Sequence, residues 1–173
     1  LKVENVMTTH VRTCGPRDTL DRAAQLLWEN DCGALPVVDE AGTLRAMITD
    51  RDICMAAYTT GERLTDLLVE QCMAPRPVSC RPDDPLTQAA ERMAEHQVRR
   101  LPVVDGKDRV QGLLSLNDLV LSAPEGSSAV EATKVLRAVS KHRAVQVPAK
   151  QEKAELQPTP GRGRKGANVV AKL

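Results

Sequence analysis

The chain has 173 residues, 42% of them hydrophobic and 27% charged, enough to bury the core of one domain or of two small ones. No apolar run approaches the ~20 residues that cross a bilayer, and the start LKVENVMTTH lacks the apolar stretch of a signal peptide, which argues against a membrane helix and predicts a cytoplasmic protein. The formal charge of +1 is unevenly spread: residues 141–173 carry eight Lys/Arg against two Asp/Glu, leaving a mildly acidic body ahead of a basic tail. The opening at Leu1 leaves room for an upstream extension.

In chain order, residues 11–14 predict a short extended piece. Asp18 is the expected N-cap of a helix whose stripe, Leu20, Ala23, Ala24 and Leu27, falls at helical spacing with small residues that allow close approach to a sheet. Trp28 is expected in packing on that helix rather than in binding. Leu35–Val38 predicts a buried strand, DEAG a turn and LRAMI a returning strand, with a second helix from Thr49. Leu64, Leu67 and Leu68 give the linker a helical turn. The order then recurs: an extended piece at 78–80, Asp84 as N-cap with Pro85 at the first helical position, a stripe of Leu86, Ala89, Ala90 and Met93, a strand at Leu101–Val104, the turn DGKD, the strand VQGLL and a helix from Ser115.

That recurrence is a repeat at a constant offset of 66 residues. Met7 matches Met73, Cys14 matches Cys80, Leu20 matches Leu86, Asp52 matches Asp118, and LPVVD stands at both 35–39 and 101–105. Each copy reads β-α-β-β-α. A unit of about 50 residues buries too little surface alone, so the two are expected to pack together as a pseudo-twofold pair. The predicted class is α+β: a first unit at 1–60, a linker at 61–68, a second unit at 69–122, a C-terminal helix within 123–147 (about Ser128 to Arg143), and a polar, aromatic-free tail at 148–173 expected to be disordered.

The paired pattern, with its opening Met-Thr or Met-Ala, its Leu-Pro-Val-Val-Asp strand and turn, and a strand closing on Thr/Ser-x-x-Asp, resembles a tandem pair of CBS domains, the Bateman module, over roughly residues 1–122. The resemblance implies a regulatory module, with no required cofactor, that binds an adenosine-containing ligand (AMP, ADP, ATP or S-adenosylmethionine) in clefts between the copies. It also implies a homodimer that senses energy or metabolite state and signals to a protein partner.

The motif at 49–52 and 115–118 has its own chemistry. A hydroxyl at a strand end, Thr49 or Ser115, with free helix N–H groups favours phosphate, and a carboxylate three residues on, Asp52 or Asp118, can accept from both ribose hydroxyls. On spacing alone a capping box is the better account of the motif; the resemblance reverses that and implies ribose contact in at least one copy. Ahead of the shared strand the copies differ, Gly33-Ala34 against Arg99-Arg100: small residues admit a ligand to the backbone, whereas guanidinium groups hold phosphate. The resemblance makes Arg99 or Arg100 the phosphate candidate and the two clefts unequal. With Phe absent, adenine is expected on aliphatic surface, bonded to backbone near Thr13, Cys14 and Pro36 in one copy and Val78, Ser79, Cys80 and Pro102 in the other.

The five cysteines form no CxxC and the three histidines are scattered, so no metal site is expected and the thiols should be reduced and inert. No nucleophile–base pair or phosphate-cradling glycine loop appears, so an enzyme is not expected. The competing classes are a ligand-free structural or interaction module and a nucleic-acid-associated protein acting through GRGRKG at 161–166, a stretch that otherwise serves as a solvated tail.

Overall fold

The computed structural model describes residues 1–122 and 129–141, and the expected tail at 148–173 lies outside the described residues. In the first copy, α1 (Leu20–Glu29) turns Leu20, Ala23 and Leu27 onto the hairpin of β1 (Ala34–Val38) and β2 (Leu44–Thr49), and α2 (Asp50–Thr60) follows directly. After the linker come β3 (Ala74–Pro75), α3 (Leu86–His96), the hairpin of β4 (Arg100–Val104) and β5 (Val110–Ser115), and α4 (Leu116–Leu121). A fifth helix, α5 (Ala129–Val139), lies inside the range expected for a C-terminal helix. The predicted extended pieces at 11–14 and 78–80 reduce to single bridges, Cys14 beside Val37 and Cys80 beside Val103.

The shared LPVVD block now has a physical account. Its four apolar residues are core strand, and its terminal carboxylate closes the turn. Asp39 Oδ1 accepts from the N–H groups of Ala41 (3.0 Å) and Thr43 (2.9 Å), and Asp105 Oδ1 from those of Lys107 (2.8 Å) and Arg109 (3.0 Å).

Both expected N-caps move by one residue. Thr19 caps α1, its hydroxyl accepting from the Arg22 N–H (3.2 Å), because Asp18 is spent closing the preceding turn on the Gly15 N–H (2.8 Å). Asp84 does the same for Arg81 (2.9 Å) and also pairs with Arg92 Nη1 (3.0 Å), so Pro85 stands at the cap without a side-chain bond. The helical turn expected at Leu64–Leu68 is absent. Residues 64–66 form turns, Leu67 is buried in the first core, and its carbonyl accepts from the Leu20 N–H (2.9 Å).

The packing follows a pseudo-twofold. Thr43 pairs with Arg109, its own repeat equivalent, through reciprocal bonds from Leu44 N to Asp108 O (2.9 Å) and from Val110 N to Gly42 O (3.2 Å), so the local axis runs between these two residues. The copies also exchange their starts. Val3, from a short 3-10 turn at Val3–Asn5, is fully buried in the core of the second copy, and Val69, from the matching turn at Val69–Gln71, is buried in the core of the first. The bonds repeat at the same offset: Val3 N to Asp84 O (3.0 Å) matches Val69 N to Asp18 O (2.9 Å). Thr8 bridges to Leu113 as Ala74 pairs with Met47.

Candidate functional site

The hairpin register draws the sequence-predicted residues of each copy into one strip. In the first, Cys14 bonds main chain to main chain with Pro36 (N to O, 3.2 Å), β1 carries Pro36 back to Ala34, Ala34 faces Thr49, and Thr49 starts the helix that bears Asp52. In the second, Cys80 bonds to Pro102 (3.0 Å), Arg100 faces Ser115, and the Arg99 carbonyl accepts from Leu116 at the start of α4 (2.9 Å). Cys14, Ala34, Pro36, Cys80 and Pro102 are buried and form the floor, while Thr13, Gly33, Thr49, Asp52, Val78, Ser79, Arg99, Arg100, Ser115 and Asp118 reach solvent in varying degree.

Both Thr/Ser-x-x-Asp motifs are closed capping boxes. Asp52 Oδ2 accepts from the Thr49 N–H (2.9 Å) and hydroxyl (2.7 Å), and the Asp52 N–H returns a bond to Thr49 Oγ1 (3.2 Å). Asp118 Oδ2 accepts from the Ser115 N–H (2.7 Å) and hydroxyl (2.8 Å). The cap uses one carboxylate oxygen. No described residue hydrogen-bonds Oδ1 of either aspartate, so each can cap its helix and still accept from a diol.

Arg100 reaches from the second copy to the first. A Cβ built on Gly33 would lie 3.4 Å from Arg100 Nη2 and 3.3 Å from Asp50 Oδ2, so the absence of a side chain at 33 makes room for a guanidinium beside the N-terminus of α2. Arg99 is exposed and donates no side-chain bond to a described residue. The backbone expected to read adenine is partly used. Both main-chain groups of Cys14 and Cys80 are bonded to β1 and β4, and the Ser79 carbonyl accepts from Arg92 Nη1 (3.0 Å). No described residue bonds the main chain of Thr13 or Val78.

Three features were not anticipated from the sequence. Arg92 ties Asp84 to Ser79, and the available signal was its place opposite Leu26 in the other copy. A cavity of about 340 Å³ lies between the copies, walled by Thr43, Leu44 and Arg45 on one side and by Arg76, Ser79, Val104 and Asp108 on the other, and Arg76 has no acidic partner among the described residues. Trp28, expected in packing, is 89% exposed. The cysteines of the floor are buried, as the sequence led us to expect: burial pushes the Cys14 and Cys80 thiols up to about 12, with the Asp18 and Asp84 carboxylates adding to it. Among the described residues no cluster of His, Cys, Asp and Glu is arranged to hold a metal, and no helix is long and apolar enough to cross a membrane.

Comparison with known proteins agrees with the repeat. The CBS domain profile matches residues 3–58 and 69–125. The CBS domain-containing protein YhcV of Bacillus subtilis is 39% identical over 127 residues, covering 73% of this chain and 89% of YhcV. Among solved structures, CBSX2 in complex with AMP superposes with a TM-score of 0.63 at 29% identity, covering 70% of this chain and 94% of that one. The CBS domain pair of protein MJ0100, in complex with 5′-methylthioadenosine and S-adenosyl-L-methionine, gives 0.64 at 25% identity over the same shares.

Proposed function

The chain belongs to the CBS domain family, and from that premise we propose that it is a regulatory module, working as a homodimer, that binds an adenine nucleotide and passes its occupancy to a protein partner. The candidate ligands are AMP, ADP, ATP and S-adenosylmethionine. The observation that carries the proposal is the pair of capping boxes that leave Oδ1 of Asp52 and of Asp118 unbonded by any described residue at the start of a helix, where a ribose diol can donate to it. Relatives with adenosine-type ligands bound share the fold. In this assignment Asp52 and Asp118 accept from ribose, the Thr49 and Ser115 hydroxyls stay committed to the caps, and Arg100 adds a cation for phosphate at the first cleft only. The clefts therefore differ in affinity for the phosphorylated ligand.

Because the carboxylates cap their helices, Asp→Ala would damage fold and binding together. Asparagine separates the two roles: from the N3 position its amide oxygen can still accept from the N-cap N–H, yet it places an N–H2 or a neutral oxygen where a charged acceptor stood. Asp52→Asn and Asp118→Asn are expected to lose only about 0.3–1 kcal/mol of stability, the worth of a carboxylate at a helix N-terminus, and to weaken AMP at their own cleft by about 1.5–3 kcal/mol, the scale of a hydrogen bond to a charged group. Arg100→Ala should weaken AMP and leave adenosine unchanged. Calorimetric titration of AMP, ADP, ATP and S-adenosylmethionine reads all of this. No binding of any of the four to wild type, or undiminished binding in both asparagine variants, overturns the assignment and leaves the ligand-free interaction module.

A further inference from the structure

The two copies treat one backbone carbonyl differently. In each, the first strand of the hairpin bonds main chain to main chain with the extended piece before it, Val38 N–H to the Cys14 carbonyl and Val104 N–H to the Cys80 carbonyl (2.9 Å each). In a parallel pairing that turns the Val38 and Val104 carbonyls toward residues 16 and 82, and both are prolines with no N–H to give. The second copy makes up the loss with a side chain. Arg81 Nη1 donates to the Val104 carbonyl (3.3 Å), Nη2 reaches Asp108 Oδ1 (3.4 Å), and Val104 is 1% exposed. A second guanidinium, that of Arg92, pairs with Asp84 (3.0 Å). In the first copy the repeat puts Gly15 at the place of Arg81, Gly42 at that of Asp108 and Leu26 at that of Arg92. No described side chain donates to the Val38 carbonyl, Val38 is partly exposed, and among the described residues the Asp18 carboxylate accepts only from the Gly15 N–H (2.8 Å). A groove of about 790 Å³ opens there, lined by residues 13–18, residues 38–41 and Glu70.

We infer that this groove receives the guanidinium group of an arginine on an exposed segment of a partner protein. The second copy gives the chemistry of the occupant, because the equivalents of the Val38 carbonyl and of Asp18 are met there by arginine N–H groups. The charge of the rim agrees. Glu40 and Glu70 are exposed and form no ion pair among the described residues, whereas Asp39 is already spent on its turn and on Arg45 (2.7 Å). Arg17 is the one cation among the lining residues; it is exposed, donates to no described acceptor, and leaves two of the three carboxylates of Asp18, Glu40 and Glu70 unbalanced. Arginine suits the place better than lysine, since a planar fork of donors serves a carbonyl and a carboxylate at once where an ammonium is a point charge. Neither Asp52, Asp118 nor Arg100 lines the groove, which shares only Thr13 and Cys14 with the proposed ligand strip, so this recognition does not rest on the nucleotide reading.

The test adds the capped tripeptide acetyl-Gly-Arg-Gly-amide to the full-length protein and follows the amide NMR signals of Gly15 and Ala41. Saturable shifts confined to residues that line the groove are expected. Citrulline in place of the peptide's arginine keeps the shape and loses the charge, and should weaken binding on the order of tenfold; lysine should also bind more weakly than arginine. Gly15→Arg rebuilds in the first copy what the second already has. A Cβ on Gly15 meets nothing nearer than Asp18 Oδ2 at 3.8 Å, and the residue has no left-handed φ, so the variant should match wild type in urea unfolding and lose the peptide. Glu40→Gln together with Glu70→Gln, both on the exposed rim, should weaken binding by roughly threefold without touching the backbone at residue 15. The inference is overturned by no saturable shift with the arginine peptide, by equal affinity for the citrulline peptide, or by undiminished binding in either the Gly15→Arg or the double glutamine protein. Tighter binding of free arginine than of the capped tripeptide would overturn it too, since the groove would then be a site for a small metabolite.

Discussion

Replacing Gly112 with alanine would put a Cβ 2.7 Å from Met7 Sδ, 2.8 Å from the Thr8 carbonyl oxygen and 3.2 Å from Met7 Cγ. The methionine can swing aside, but the carbonyl cannot. Thr8 is held by a two-way bridge to Leu113, N to O at 3.0 Å and O from N at 2.9 Å, so the clash is relieved only by lifting the N-terminal segment off β5. That loosens two backbone hydrogen bonds, each worth about 1 kcal/mol net, and withdraws part of the burial of Val3, for which full burial of a valine is worth about 1.5 kcal/mol or more. The gain from replacing a glycine inside a strand offsets roughly 0.5–1 kcal/mol. The expected net loss is about 2–3 kcal/mol. The first copy supplies the control, since its equivalent, Ala46, already carries a Cβ opposite Pro75. Ala46→Gly should cost only about 1 kcal/mol, the glycine penalty. Urea unfolding followed by far-ultraviolet circular dichroism measures both. A Gly112→Ala protein within about 0.5 kcal/mol of wild type, the scale of an ordinary surface change, would refute the contact between the N-terminal segment and the far hairpin.

Two further outcomes follow from the titrating groups. Exposed Cys54 should be alkylated first in the native protein at mildly alkaline pH, while Cys14 and Cys80, pushed up to about 12 mainly by burial, should stay unmodified until denaturant is added; mass-mapped labelling of Cys80 on the timescale of Cys54 would contradict this. The Arg109 N–H, with the Lys107 N–H and the Arg109 guanidinium, holds the Asp105 carboxyl down to about 2 from an ordinary 3.8. A folded-state value below the unfolded one means that stability is fully present above the unfolded value and is lost as pH falls from near 4 towards 2. The urea midpoint should therefore fall across that window, less steeply in Asp105→Asn, and parallel curves for the two proteins would refute the role of the turn carboxylate.

The repeat and the hairpins were legible because periodicity and turn chemistry are local: LPVVD carries its strand and the acid that closes its turn within five letters. The caps were off by one residue for a physical reason. Asp18 and Thr19 are both good caps, and only the fold reveals that the Gly15 N–H has already claimed the aspartate. The exchange of starts was invisible, since an offset of 66 says which residues are equivalent and nothing of whether Val3 packs on its own copy or the other. The capping boxes of Thr49 with Asp52 and of Ser115 with Asp118 were legible from spacing, but Arg92 was passed over because a cation on a helix usually faces solvent. Trp28 was misplaced for the converse reason, since a large aromatic on an amphipathic stripe normally packs.

The exchanged starts also decide what the molecule is as an object. A cut in the stretch 61–63 would not release two modules: the front fragment would carry Val3, which the rear core lacks, and the rear fragment would carry Leu67 and Val69, which the front core lacks. Neither piece could close its core alone, and the two mixed would rebuild both. A lone half has the same need and one way to meet it, by lending its start to a twin and borrowing the twin's in return. The tandem chain is such a borrowed pair with its ends tied, so unfolding one half withdraws a keystone from the other, and anything that tightens one cleft braces the whole.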